Sequence, residues 1–399
     1  MSDSDCEVLV VGAGPAGSAV AAALARAGRD VLLVESHAHP RPKACAEYAS
    51  PRIAEELALL GIAEGDWRAD ALPLKGMRVI RGDDAVDMGY HDAAGRRHSW
   101  GLDRERFDGT LAAHAVASGA RLMERTALDD VHWRGGQEGS GGRVVGASLR
   151  TAEGRRTVRS RWLIGADGAR SRVAQRLSTE RGVGRPRRLG LIAHYEGLPE
   201  LADHGEMHVA RDWYVGLAPL AGNRLNVGMA LPLDGTKRSA EERFQAAIDG
   251  IPAVAARLRG VKRLTPIRGA SPIGHRVGAS AGRGWMLVGD AAGFIDPFTG
   301  EGIFRALRSA RAAADALAAG DDDGAAARYR AARREAFAAK DGLTWLVQGM
   351  LAAPPVLGYT LRRLDRRPHL AAKLGSALGD LRPASDALSP LFLAQVLWP

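Results

Sequence analysis

The chain has 399 residues, a length that buries a large core and suits two interleaved domains plus a tail better than one compact unit. Its formal net charge is +9, but the arginines behind it are scattered among alanines, and no basic helix carries interleaved aromatics, which excludes a nucleic-acid-binding protein. Two cysteines, Cys6 and Cys45, at no metal-ligand spacing exclude a metal site and a disulfide framework, and the acidic start Met1-Ser2-Asp3-Ser4-Asp5 is no secretory signal, so a cytoplasmic protein is expected.

In chain order, Leu9-Val10-Val11 is an apolar run of the kind buried in a parallel sheet, and the alanine-rich stretch 18–26, closed by Gly28, predicts a helix. Between them Val11-Gly12-Ala13-Gly14-Pro15-Ala16-Gly17 forms a strand-to-helix turn. Gly12 allows the tight bend, Gly14 lets the backbone approach a pyrophosphate, and Gly17 lets helix meet strand, while free N–H groups at the helix start attract phosphate. Ala13, Pro15 and Ala16 complete the loop. A second apolar strand, Val31-Leu32-Leu33-Val34, ends at Glu35 and Ser36, where an acid accepts hydrogen bonds from a ribose. With no arginine beside Glu35, a 2′-phosphate is not expected.

Further along, Lys43-Ala44-Cys45-Ala46-Glu47-Tyr48-Ala49-Ser50-Pro51 is an irregular stretch, and Lys75-Gly76-Met77 reads as the polar start of a strand. A glycine-rich surface loop is expected at 135–142. Arg161-Trp162-Leu163-Ile164-Gly165-Ala166-Asp167-Gly168-Ala169-Arg170-Ser171 is another strand ending in an acid and a glycine, followed by a helix-like stretch. The middle of the chain, 189–231, alternates polar and apolar residues as antiparallel strands do, with Ala221-Gly222-Asn223 as a hairpin turn. Then Trp285-Met286-Leu287-Val288-Gly289-Asp290 is a third strand ending in an acid. Asp296-Pro297-Phe298-Thr299-Gly300-Glu301-Gly302 cannot be regular structure, and a long alanine-rich helix opens near Ile303, with Glu301 as its expected cap. The tail from 343 to 361 has no charged residue. Its length approaches a membrane span, but Pro354-Pro355 and Gln348 would leave backbone groups unsatisfied in lipid. A kinked helical cap over an apolar cavity, or a surface resting on a membrane, is the expectation, with the apolar segment 390–398 packed on it.

These motifs, in this order over roughly 7–330, resemble the FAD-dependent group that includes geranylgeranyl reductases, flavin halogenases and hydroxylases of the p-hydroxybenzoate hydroxylase type. The resemblance implies an α/β fold: a Rossmann-like FAD-binding domain of the glutathione reductase type (1–75, 100–175, 275–335), an antiparallel β-sheet substrate domain (76–99, 176–274) and a helical C-terminal cap (336–399). It implies that Gly12, Ala13, Gly14, Pro15, Ala16, Gly17, Glu35, Ser36, Cys45, Arg104, Asp167, Gly168, Gly289, Asp290, Pro297, Gly300, Gly302 and Ile303 surround FAD. In that reading Asp290 binds the ribityl chain, Arg104 in Leu102-Asp103-Arg104-Glu105-Arg106 reaches FAD, and the helix start near Ile303 faces the flavin pyrimidine. Ser171 is expected at the same cofactor. Cys45 matches the Lys-x-Cys-Gly stretch beside the flavin of geranylgeranyl reductases, except that the glycine is Ala46 here.

The stretch Trp213-Tyr214-Val215-Gly216-Leu217-Ala218-Pro219 lacks the second Trp of the halogenase and reductase motifs, and Lys75 sits in a strand start, so halogenation loses support. What remains is an oxidoreductase that takes electrons from NAD(P)H, transiently because no second dinucleotide fold is visible. Its expected reaction is reduction of a C=C bond in an apolar, isoprenoid-like substrate; the alternative is an FAD-dependent monooxygenase, and a flavin halogenase or a non-enzymatic flavin- or lipid-binding protein comes last. Cys45 and Tyr214 are the catalytic candidates, with Tyr48 and His275 as further proton donors.

Overall fold

The computed structural model describes residues 4–136, 141–182, 186–320 and 324–397. Residues 1–3, the middle of the loop at 135–142, and Trp398 lie outside the described residues.

The first lobe is built on a sheet whose centre is parallel: Arg121–Met123, Val31–Val34, Cys6–Val11, Gly154–Gly165 and Trp285–Leu287 lie side by side. Its strands are covered on both faces, which is why they are apolar throughout; Leu9, Val10, Leu33, Leu163 and Ile164 are all buried. The strand Gly154–Gly165 starts seven residues before the apolar run predicts. Its first half pairs antiparallel with Arg143–Thr151, and exposed Arg155, Arg156 and Arg159 hide the strand pattern there. The helix Pro15–Arg26 likewise begins before the alanine run, because Pro15 takes the first helical position behind Gly14.

The second lobe is a mixed sheet in the order Lys262–Arg263, Arg188–Glu196, Arg224–Pro232, Tyr214–Leu220, Gly205–Val209, Gly76–Arg81, Asp84–Asp92, Gly95–Arg97. The hairpin turn falls at Ala221, Gly222 and Asn223, the last two at φ 76° and 55°. The expectation of a wholly antiparallel sheet is corrected at one seam: Gly205–Val209 runs parallel to Gly76–Arg81. No hairpin joins these two; the chain leaves the sheet and crosses the first lobe between them. One face carries Leu191, Val215, Leu217, Val227 and Met229 beneath the helices Ala240–Asp249 and Pro252–Arg257. By alternation the other face presents His194, Asn226, Gly228, Gly216 and Tyr214.

A small sheet of Tyr48–Ala49, Ser99–Leu102 and Ala71–Leu74 links the lobes. The tail is helical, and its uncharged stretch breaks at Ala353, between Ala325–Ala352 and Pro354–Asp365, where the double proline stands. Among the described residues no helix is long and apolar enough to cross a membrane. Leu343, Val347, Leu351, Leu357 and Leu361 instead pack on Val79, Val86, Met88 and Met207 of the second sheet. A Cβ at Gly375 would fall 2.7 Å from the Gly89 carbonyl oxygen, so that glycine sets how closely the tail approaches.

Candidate functional site

At the first glycine turn two glycines are packing residues and one is open. Gly12, at φ 100°, would place a Cβ 2.6 Å from the Ala166 oxygen, and one at Gly17 would fall 1.7 Å from the Gly12 oxygen. At Gly14 the nearest atom is Arg41 Nη2, 3.6 Å away. Gly14 caps the helix Pro15–Arg26 without a side-chain hydrogen bond, so the helix start keeps its free donors. The second glycine segment touches the first: a Cβ at Gly289 would lie 2.9 Å from the Ala16 Cβ. Residues more than 270 positions apart therefore meet at one turn.

Glu35 is buried and accepts from Ala13 N–H (2.9 Å), Ser36 Oγ (2.9 Å) and His37 N–H (3.1 Å). Arg41 Nη2 stands 3.2 Å from it, which corrects the expectation of no arginine beside this acid. Arg41 reaches Glu35 from a loop six residues on, a distance no strand or helix period encodes. Burial works against the Glu35 carboxylate, but Arg41 and the three donors hold its carboxyl below the usual range. Arg41 Nε is buried and has no hydrogen-bond partner.

From Arg41 to Glu47 the chain runs without regular structure, with Pro42 alone exposed. Lys43 Nζ lies 4.0 Å from where a Gly168 Cβ would be. The Cys45 sulfur accepts from Arg104 Nη1 at 3.1 Å and from the Glu47 N–H at 3.4 Å. Arg104 also donates through Nε and Nη2 to Asp108, at 2.8 and 3.0 Å, so all three of its guanidinium nitrogens are engaged within the protein. Among the described residues the Arg104 guanidinium is thus held between Cys45 and Asp108. The Ala46 methyl points at the sheet, 3.5 Å from the Cβ position of Gly228.

Asp167 accepts from Ser171 Oγ (2.6 Å), Arg172 N–H (2.7 Å) and Val173 N–H (3.2 Å); burial raises its carboxyl above the usual range. Ser171 also takes the Ala174 N–H at 2.9 Å, which makes it the cap of the helix Arg172–Arg176. Gly168, at φ 83°, faces open space apart from Lys43. Asp290 sits in a short turn, and its carboxylate makes no hydrogen bond or ion pair among the described residues.

Pro297 opens a single turn capped by Asp296, and Gly300, at φ 68°, abuts Tyr48, whose Cδ1 lies 2.7 Å from the Cβ position. Gly302 starts the helix Gly302–Ala318 with no atom nearer than Phe294 Cε2 at 4.0 Å, and Ile303 is buried behind it. Glu301 occupies the N-cap position of this helix, but its side chain makes no capping hydrogen bond. Its carboxylate turns to Lys340 Nζ (3.0 Å) and Thr344 Oγ1 (3.2 Å), a buried ion pair in place of the expected cap.

Three of the four candidate proton donors are already engaged. Tyr214 donates to Asp296 at 2.6 Å, and burial together with that carboxylate raises its hydroxyl well above the usual value. Tyr48 is hydrogen-bonded to Tyr90 (2.7 Å) and Ser99 (2.8 Å), and burial raises it likewise. His275 is buried with Nε2 3.1 Å from the Ala291 oxygen. Cys45 alone is half-buried, with a sulfur that only accepts.

A family model described as "FAD binding domain" matches residues 5–339. The chain belongs to that FAD binding domain family. It is accordingly an FAD-binding enzyme, an oxidoreductase. It is 33% identical over 325 residues to a menaquinone reductase of Mycobacterium tuberculosis, covering 79% of this chain and 77% of that protein. It is 31% identical over 340 residues to digeranylgeranylglycerophospholipid reductase 1 of Methanopyrus kandleri, covering 81% and 83%. A crystal structure of a flavoprotein/dehydrogenase from Cytophaga hutchinsonii superposes with a TM-score of 0.83 at 21% identity, covering 98% of this chain and 96% of that one, which shows the shared fold. The residues fit the cofactor of this family. Gly14, Gly168 and Gly302 leave space a side chain would fill, two helix starts lack side-chain caps, and Arg41 Nε and the Asp290 carboxylate lack partners.

Sequence reading missed Arg41, Glu47, His194 and Asn226. The motif stretch 43–51 covers Glu47 but attaches no role to it, and nothing in the spacing of His194 or Asn226 ties them to a loop some 150 residues away.

Proposed function

We propose that this enzyme reduces a C=C bond of an apolar, isoprenoid-type substrate, with NAD(P)H as transient reductant and Cys45 as the proton donor. The observation that carries the reading is the Cys45 sulfur, which accepts two N–H donors and leaves its own S–H free to be given away. The negative charge left on sulfur is then held by the Arg104 guanidinium and the Glu47 amide. The named activities of the mycobacterial and archaeal relatives support an isoprenoid or quinone-bearing substrate. In overall balance, NAD(P)H gives a hydride, solvent gives a proton through Cys45, and the alkene becomes an alkane.

Bound FAD supplies the two-electron transfer between reductant and substrate. The chain's own residues do the rest. The turn at Gly14 with Arg41 is assigned the pyrophosphate, Glu35 and Ser36 the ribose, Asp290 the ribityl chain, and the helix start at Gly302 the far end of the ring, in the manner of glutathione reductase-type domains. We divide the chain as read from its sequence, with 1–75, 100–175 and 275–335 holding FAD, 76–99 and 176–274 facing the substrate, and 336–399 covering it. Tyr214 is assigned to holding Asp296 and its loop, since proton loss would leave a phenolate against a carboxylate.

Exposed Trp345, Val356, Leu391 and Leu397 on the tail, with Arg362 and Arg366 nearby in sequence, are proposed as the surface from which a cytoplasmic enzyme meets a membrane. The decisive assay gives the FAD-loaded enzyme NAD(P)H and isoprenoid quinones or prenyl lipids with air excluded. Product formed without oxygen supports the reductase; product formed only as oxygen is consumed overturns it in favour of a monooxygenase.

A further inference from the structure

Glu47 is a buried, non-glycine residue at φ 58°. That conformation is disfavoured for any residue with a side chain and persists only when its surroundings impose it. Here they do. Its carboxylate lies 2.6 Å from His194 Nε2 and accepts from Asn226 Nδ2 at 2.9 Å and from the Arg104 N–H at 3.1 Å, while its carbonyl accepts from the Leu102 N–H at 2.8 Å.

His194 and Asn226 stand directly opposite each other on adjacent strands of the second sheet. Asn226 also donates to the Cys45 carbonyl at 2.9 Å, so the two sheet residues grip both ends of the segment 45–47. The backbone N–H of His194 donates in turn to Thr265 Oγ1 at 3.0 Å. The Glu47 N–H itself donates to the Cys45 sulfur at 3.4 Å, so a residue held from the sheet through its carboxylate also touches the thiol.

We propose that His194 and Asn226 are positioning residues for Cys45: acting through Glu47, they let the substrate-facing sheet set the aim of the thiol carried by the FAD lobe. The inference rests on Cys45 being the proton donor. It gives the contact between lobes a function, because a sheet seated correctly holds the sulfur in place and a displaced sheet releases it.

The test uses the full-length, FAD-loaded enzyme and two readouts, turnover and alkylation of Cys45 by iodoacetamide followed by mass spectrometry. Cys6 is 1% exposed, with a thiol pushed up to about 12 by burial, and serves as the silent internal control. His194→Ala is expected to speed Cys45 alkylation at least fivefold and to lower kcat at least tenfold with KM within twofold. His194→Gln, which keeps a donor toward Glu47, returns both to within threefold of the natural enzyme. In a Cys45→Ser background, His194→Ala lowers kcat no further, because the two residues act as one unit.

Alkylation of His194→Ala at the natural rate overturns the positioning role whatever the activity does, and so does an additive loss of kcat in the double variant. If Cys45→Ser turns over normally while His194→Ala still exposes the thiol, the proton-donor reading falls and the clamp stands. Should His194→Ala fail to fold, Glu47→Gln keeps the acceptor for the Arg104 N–H but loses the Asn226 bond; alkylation at least threefold faster supports the role, and an unchanged rate overturns it.

Discussion

Two glycines two residues apart carry different burdens. Gly12 is needed by the fold, since a methyl group there would meet the Ala166 backbone at 2.6 Å in a conformation that side chains disfavour. Gly14 has 3.6 Å of clearance and is needed only by a ligand that must approach the backbone. Gly12→Ala is therefore expected to lose about 2 kcal/mol or more of stability in urea unfolding. Gly14→Ala should unfold like the natural chain yet bind FAD at least tenfold more weakly by fluorescence titration. If Gly14→Ala unfolds early and binds normally, the two roles are assigned wrongly. Asp290 belongs with Gly14: its carboxylate makes no hydrogen bond or ion pair among the described residues, so Asp290→Ala should cost FAD affinity and leave the unfolding midpoint close to where it was.

Between elements, the tail is tied to the loop that precedes the helix Gly302–Ala318 by a buried cation. Lys340, on the helix Ala325–Ala352, lies 3.0 Å from Glu301 and 2.7 Å from Asp380 and donates to the carbonyls of Ala377 and Leu378. Burial disfavours its charge, but the two carboxylates outweigh this and raise it. Lys340→Met would strand two buried acids, at a cost of about 3–5 kcal/mol in urea unfolding; a loss under 1 kcal/mol would mean that the tail is not anchored there.

A second tie joins the sheet to the helix Pro252–Arg257. Glu206 accepts from His208 at 2.8 Å and from Arg257. Burial opposes the carboxylate, yet His208 and Arg257 bring it down to about 2. A carboxyl lowered in the folded state adds stability above its ordinary value of about 4.3 and loses it as pH falls through about 2, a contribution on the order of 3 kcal/mol. Glu206→Gln should accordingly flatten the acid limb of the stability profile and leave its slope above neutrality alone.

The same elements show what a sequence can and cannot carry. Strand Val31–Val34, the hairpin at Ala221 to Asn223 and the break at the double proline were legible because apolar runs, turn residues and proline act over a few neighbours. Both glycine segments were legible for the same reason. The parallel seam between Gly205–Val209 and Gly76–Arg81 was not, because pairing across more than a hundred residues leaves no period. Arg41 beside Glu35 and His194 beside Glu47 are tertiary meetings of ordinary polar residues. The partners of Ser171 and Glu301 were not legible, because an acid or hydroxyl near a helix start serves a cap, an ion pair or a cofactor equally well until its neighbours are known.

At the scale of the whole molecule, the two lobes converge on one strip of chain. Residues 41–47 meet the glycine turn through Arg41, the Asp-Gly turn through Lys43, the helix Arg104–Ala117 through Cys45, and the second sheet through Glu47. The tail closes the far side by packing its leucines on the sheet. The exposed tail residues Trp345, Val356, Leu391 and Leu397 predict that the FAD-loaded enzyme sediments with vesicles containing anionic lipid. Replacing Leu391 and Leu397 by serine should reduce that binding several-fold without altering turnover of a water-soluble short-chain substrate.

The central claim is that segments nearly three hundred residues apart assemble one flavin site. Titration of the refolded or metal-affinity-purified chain with FAD, followed by flavin fluorescence and with Gly14→Ala and Asp290→Ala run beside it, tests this most directly. The expected result is saturation at one FAD per chain, with both variants folded but at least tenfold weaker. A natural chain that is folded and yet takes up no FAD, or variants at both segments that bind as tightly as it does, would contradict it.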